Sequence, residues 1–295
     1  MNCTICPQNC NVDRDTKFGV CQAPADFKIS HIQSHHWEEP CISGTKGSGT
    51  IFLTHCNLKC VFCQNFKISQ LSKGKIITEK EFLKHCLNLK EQGAHNINLV
   101  SPTCYSHLLI KVLPKIKSLT KLPIVWNSNA YEKIETLKKL DGLVDIYLPD
   151  LKYYANDLAI KYSQAPNYFP TAMAAIKEMV RQVGKVELDA NGIIRKGVII
   201  RHLVLPGQIE DSKKVLQAIK ENFGNKVWVS LMAQYYPAYL VKQYPEINQA
   251  LSEQAYEKIK EFYDKLDFAG GYFQELDSAS DSYIPQWELG SLDLV

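Results

Sequence analysis

Between residues 54 and 65 the chain reads Thr54-His55-Cys56-Asn57-Leu58-Lys59-Cys60-Val61-Phe62-Cys63-Gln64-Asn65, which sets three cysteines in a CxxxCxxC spacing. The run just before it, Gly49-Thr50-Ile51-Phe52-Leu53, reads as a buried strand, so the cysteine loop hangs from the end of a rigid element. Three thiols this close together are poorly spaced for pairing with one another and well spaced as a ligand set; thiolates anchor iron–sulfur clusters and zinc. A cubane cluster has four irons and this loop can ligate three of them, which leaves one iron open. The alternative is a structural zinc with His55 or a distant residue as fourth ligand, although zinc sites more often use paired CxxC knuckles.

This spacing, with the aromatic Phe62 before the last cysteine, resembles the signature of the radical S-adenosylmethionine (SAM) family. The resemblance implies a [4Fe-4S] cluster on Cys56, Cys60 and Cys63, with the amino and carboxylate groups of SAM on the open iron. It also implies reductive cleavage of SAM to a 5'-deoxyadenosyl radical that abstracts hydrogen from a substrate.

At 295 residues and 45% hydrophobic, the chain can bury one large core without a second full domain. A net charge of +3 gives no reason to expect nucleic acid or an anionic membrane as a partner. Eight of the ten cysteines lie in the first 63 residues, a distribution unlike a disulfide framework. The start has no basic region followed by an apolar core, and no run approaches a membrane span, so the expected compartment is the cytoplasm.

Residues 1–46 read as a cysteine-rich, metal-binding segment in which Cys3, Cys6, Cys10 and Cys21 suffice for a closed site, either zinc or a second iron–sulfur cluster. Unligated thiols on a docked tail are the alternative. In the stretch Ile29-Ser30-His31-Ile32-Gln33-Ser34-His35-His36-Trp37-Glu38-Glu39-Pro40, His31, Gln33 and His35 share one face of an extended segment. The reading preferred for it is a hydrogen-bonded lid over a barrel mouth, with no catalytic role for the histidines.

From residue 47 to 277, short apolar runs alternate with amphipathic segments, which predicts an α/β fold: a partial (β/α)6 TIM-like barrel carrying the Cys-rich N-terminal extension. A hairpin is expected around Asp189-Ala190-Asn191-Gly192, and residues 278–295 are left as a tail. Strands are expected at 50–54, 97–101, 124–128, 144–148, 197–205 and 227–233. Each ends in hydrogen-bonding residues at the place where such barrels build their sites. The candidate contacts to SAM or substrate are therefore Ser101, Thr103, Asn127, Asn129, Asp150, Lys152, Arg201 and His202, with Phe62 bordering adenine as the resemblance implies. Ser101-Pro102-Thr103 stands where the family usually carries a Gly-Gly-Glu type motif. Cys86 and Cys104 read as packing thiols.

Asp150-Leu151-Lys152 looks like the Asp-x-Lys pair of pyruvate formate-lyase activating enzyme and related glycyl-radical activases, and a buried salt bridge is the structural alternative. The resemblance thus implies a glycyl-radical protein, or else a small molecule, as substrate, and a flavodoxin- or ferredoxin-type electron donor. The rival class is a nonenzymatic iron–sulfur or zinc protein.

Overall fold

The computed structural model describes residues 2–278, so most of the tail expected at 278–295 lies outside the described residues. The strands are β1 (Phe27–His35), β2 (Ser48–Leu53), β3 (Lys75–Ile77), β4 (Ile97–Val100), β5 (Ile124–Ser128), β6 (Ile146–Pro149), β7 (Glu187–Leu188), β8 (Ile194–Leu203), β9 (Trp228–Met232) and β10 (Gly271–Phe273). The helices are α1 (Pro40–Ser43), α2 (Phe66–Ser69), α3 (Glu79–Glu91), α4 (Ser106–Thr120), α5 (Ile134–Leu137), α6 (Asn156–Ser163), α7 (Tyr168–Val183), α8 (Ile209–Phe223) and α9 (Glu253–Lys265).

The sheet runs in the order β10-β9-β8-β6-β5-β4-β2-β1-β3, with β7 paired to β8 as the expected hairpin. All pairings from β10 through β2 are parallel, and the two outermost strands of the order do not meet. The result is an unclosed barrel built from the six expected strands plus the short β10. Gly49 lets β2 approach β4 closely, because a Cβ there would lie 2.6 Å from the Asn96 carbonyl oxygen.

Side-chain alternation sorts the core into two layers. Trp126, Tyr147, Val198 and Ile200 face outward into the large cluster shared with the helices, including Leu109, Ile116, Ile176, Val215 and Ile219. On the opposite faces of the same strands, Val125, Ile146, Leu148, Ile194 and Ile199 form a smaller group with Cys41 and Ile42. That group fills the lower part of the lumen.

Cys41 and Ile42 explain what the His-rich stretch does. Residues 27–35 are a strand, not a lid: β1 pairs antiparallel with β2, matching Ile29 with Leu53 and His35 with Ser48. The chain therefore descends along β2 and reaches the barrel's lower end at His35. Residues 36–39 then cross into the lumen and α1 plugs it from below. The expected lid over the mouth is instead the floor, because the antiparallel partner of β2 must finish where β2 begins. Truncating the plug leaves a cavity, so Ile42→Ala is expected to cost roughly 2–5 kcal/mol of stability, read from urea unfolding; a near-neutral result would mean the floor is not packed.

Candidate active site

The cysteine loop leaves the upper end of β2 through His55, whose backbone sits at φ 64, in the left-handed region. His55 is no metal ligand through Nδ1, which meets the Thr54 hydroxyl at 2.7 Å and the Tyr105 hydroxyl at 3.2 Å. Burial is the main reason its pKa falls to about 4.

Each of the three sulfurs has a polar partner. Asn129 Nδ2 donates to Cys56 Sγ at 3.2 Å, and the Leu58 amide reaches the same sulfur at 3.5 Å. Ser163 Oγ lies 2.9 Å from Cys60 Sγ, and Ser69 Oγ 3.2 Å from Cys63 Sγ. The loop is fastened from both sides, with the Val61 amide donating to the Tyr162 carbonyl at 2.9 Å and the Leu240 amide to the Val61 carbonyl at 2.9 Å. Burial pushes the Cys56 and Cys60 thiols up to about 11 and raises Cys63 as well. The protein alone thus favours the protonated thiols, and a bound cationic metal centre is what would hold them as thiolates.

Below the loop opens a cavity of about 510 Å³, lined at its upper end by Cys60, Phe62 and Cys63. Midway down runs a polar ring organised by Arg201. Its Nε donates to Asp150 Oδ1 at 2.9 Å, Nη1 to Glu38 Oε2 at 3.1 Å, and Nη2 to Asn127 Oδ1 at 2.5 Å. Lys152 Nζ donates to the other Asp150 oxygen at 2.8 Å. The second Glu38 oxygen accepts from Asn98 Nδ2 at 3.0 Å and Asn127 Nδ2 at 3.3 Å. Burial works against the charge on Asp150, but Lys152 and Arg201 overcome it and hold its pKa below the usual carboxylate value. Glu39 lacks such compensation: burial and the neighbouring Glu38 raise it against the pull of Arg201.

Residues 50–232 match the model of the radical SAM superfamily. The chain belongs to the radical SAM superfamily. It is 34% identical over 275 residues to a Methanocaldococcus jannaschii protein described as uncharacterized, an alignment spanning 90% of this chain and 75% of that one. Among solved structures it resembles methylornithine synthase (TM-score 0.52, 17% identity, 77% of this chain and 70% of that one). It also resembles Streptococcus suis SuiB bound to SAM (TM-score 0.54, 14% identity, 77% of this chain and 50% of that one). At these identities the two structures speak to the fold.

As a radical SAM protein the chain uses a [4Fe-4S] cluster and SAM. The donor set fits that cluster. Among the described residues no group of three or more His, Cys, Asp and Glu is placed to hold a single metal ion. N–H and O–H groups directed at the sulfurs are the partners that iron-bound thiolates use.

Of the expected site residues, Phe62 of the cysteine loop and Asn127, Asp150, Lys152 and Arg201 of the strand ends line the cavity. Asn129 sits beside it, against Cys56. Three others are not among the lining residues. Thr103 donates to the buried carboxylate of Glu132 at 3.0 Å, together with Trp126 and Ser128. Ser101 turns at φ 57 into the short helical turn Pro102–Tyr105, its amide donating to the Asn127 carbonyl. His202 faces away from the lumen, its Nδ1 2.7 Å from the Leu151 carbonyl oxygen. Sequence reasoning missed Glu38, Glu39 and the last described segment, Tyr272–Ser278, several of whose residues border the cavity. The Glu-Glu-Pro stretch was the available signal for the first two.

The N-terminal cysteines lie at the upper end, beside the loop: Gln8 Nε2 donates to the Asn57 carbonyl at 2.9 Å. Cys104, expected as a packing thiol, neighbours Cys21 there, and Arg14 Nη1 donates to the Cys104 carbonyl at 2.6 Å.

Two outcomes follow from this electrostatic arrangement. Arg201→Met leaves Glu38 and Asp150 short of their shared cation in a buried setting, and is expected to cost about 3–5 kcal/mol by urea unfolding, with Arg201→Lys milder; an unchanged midpoint would show that the ring does not depend on Arg201. His35 lies on the cavity wall with its pKa lowered to about 4, chiefly by burial and then by His36 and His31. The unfolded state, with an ordinary value near ~6.5, then binds more protons than the folded state between these values. Stability of the metal-free chain should therefore fall from about pH 6.5 down to about 4. His35→Gln should shrink that fall in pH-dependent denaturation, and an identical profile would assign the loss to other groups.

Proposed function

We propose that this enzyme reductively cleaves SAM and uses the resulting radical to abstract hydrogen from a substrate held in the barrel lumen. The supporting observation is a loop of three cysteine sulfurs, each with a polar partner, two of which, Cys60 and Cys63, line a cavity ringed by fixed charges. When bound and reduced, the cluster supplies the one electron that splits SAM into methionine and a 5'-deoxyadenosyl radical.

The chain's own residues do the rest. Lys152 carries its positive charge within electrostatic reach of all three thiols, a location suited to the carboxylate of SAM. Asp150, held between Lys152 and Arg201, stays ionised and can accept from an ammonium or a ribose hydroxyl. Phe62, tilted against Tyr235 with ring centroids 5.8 Å apart, offers an apolar wall for a purine. The plug formed by α1 closes the lower end, so substrate must enter past the upper and open side of the barrel. A cavity of about 510 Å³ falls in the range of small-molecule sites. Shared with SAM, it suits a small molecule or a single residue of a polypeptide loop.

A second reading, activation of a glycyl-radical protein, is favoured by the Asp150–Lys152 pair, which forms a 2.8 Å ion pair at the end of β6. Its mark would be a glycine-centred radical on a protein partner, visible by electron paramagnetic resonance.

Anaerobically reconstituted and reduced protein is expected to release 5'-deoxyadenosine from SAM, measured chromatographically. Cys60→Ala should lower that release to background, and persistent release in the variant would overturn the proposal.

A further inference from the structure

Residues 2–26 have an unusual interior. Apart from Ala23, the buried apolar residues of this segment are cysteines: Cys3, Cys6 and Cys21, each no more than 9% exposed. Regular structure is confined to one bridge between Asn2 and Asp13. A segment with so few buried apolar residues has no core of its own to hold it in shape.

The sulfurs are arranged as ligands are. Cys6 lies within electrostatic reach of Cys21, Cys3 and Cys10, so all four thiols share one neighbourhood. The amide two residues after Cys6 donates to its sulfur, as does the amide two residues after Cys21, at 3.5 Å. That i+2 arrangement recurs in the radical SAM loop, where Leu58 donates to Cys56 at 3.5 Å and Asn65 to Cys63. Cys10 Sγ accepts from the Val20 amide at 3.2 Å, and the chain passes so near that a Cβ on Gly19 would lie 2.9 Å from this sulfur. Arg14 adds a guanidinium, donating to Cys21 Sγ at 3.8 Å and to Cys3. Amide and guanidinium donors converging on sulfur are the partners that metal-bound thiolates use.

We propose that Cys3, Cys6, Cys10 and Cys21 bind a second iron–sulfur cluster, with Arg14 offsetting its negative charge. A polynuclear cluster is preferred to zinc because the amide-to-sulfur pattern at Cys6 and Cys21 repeats the one at Cys56 and Cys63 in the radical SAM loop. The site is built against the radical SAM loop rather than on a free tail. Gln8 holds the Asn57 carbonyl, Thr136 Oγ1 donates to the Ile5 carbonyl at 2.8 Å, and Lys133 bonds to Asn9.

The test removes the other cluster. A full-length triple variant, Cys56→Ala, Cys60→Ala and Cys63→Ala, is reconstituted anaerobically with iron and sulfide. It is expected to retain iron and sulfide in equal amounts, with about half the iron of wild type. Adding Cys6→Ser and Cys21→Ser to it should leave the protein colourless. In parallel, Cys6→Ser with Cys21→Ser in the otherwise wild-type chain should lose about half the iron while its remaining cluster still responds to SAM by electron paramagnetic resonance. That arm stands even if the triple variant fails to fold, and it separates this proposal from the radical SAM reading. A triple variant that binds zinc, or a Cys6→Ser, Cys21→Ser protein with undiminished iron, would overturn the second cluster.

Discussion

A single guanidinium ties together parts of the chain that are otherwise far apart. Arg201, on β8, reaches Glu38 from the floor segment, Asn127 on β5 and Asp150 just beyond β6. Its five donors in a fixed plane suit it to bind two carboxylates and an amide at once, which a lysine could not do. The desolvation of two carboxylates is offset because Arg201 and Lys152 supply two cations in the same ring. Remove that balance and the lumen would hold uncompensated charge. The polar ring, the seating of the floor and the orientation of Asp150 toward the cavity all follow from it.

The barrel's interior is thereby divided by height. Apolar side chains from the strands close on Cys41 and Ile42 below, the charged ring lies above them, and the cysteine loop stands over both. Such layering places fixed charges next to a buried metal-binding loop while keeping water away from the lower strands. Low dielectric strengthens each hydrogen bond and ion pair in the ring. Preorganised groups of this kind need little rearrangement when a zwitterionic ligand arrives.

Much of the outer architecture was legible along the chain. Six strands and the longer helices could be read because an apolar run of four or five residues and an amphipathic helix have different periods, and α3, α8 and α7 carry theirs clearly. The change of polarity at strand ends pointed to Asp150, Lys152 and Arg201, which the structure sets on the cavity wall. The same rule was too generous at Thr103 and His202, since it cannot distinguish a residue facing the lumen from one that turns behind the wall. β10 and α6 were passed over because three residues and eight residues carry too little pattern.

Local chemistry is what the sequence determined by itself: three thiols in one short loop form a ligand set whatever the rest of the chain does, because their spacing alone keeps them together. Composition and periodicity likewise dictate an α/β barrel. Only the tertiary structure decided that a histidine-rich strand would run down the edge of that barrel and deliver Glu38 and Glu39 to its floor. That placement depends on pairing between β1 and β2 and on a guanidinium 163 residues away from Glu38. Long-range pairing of this kind leaves no periodic trace, since its energy is released only when distant groups meet in a dry interior.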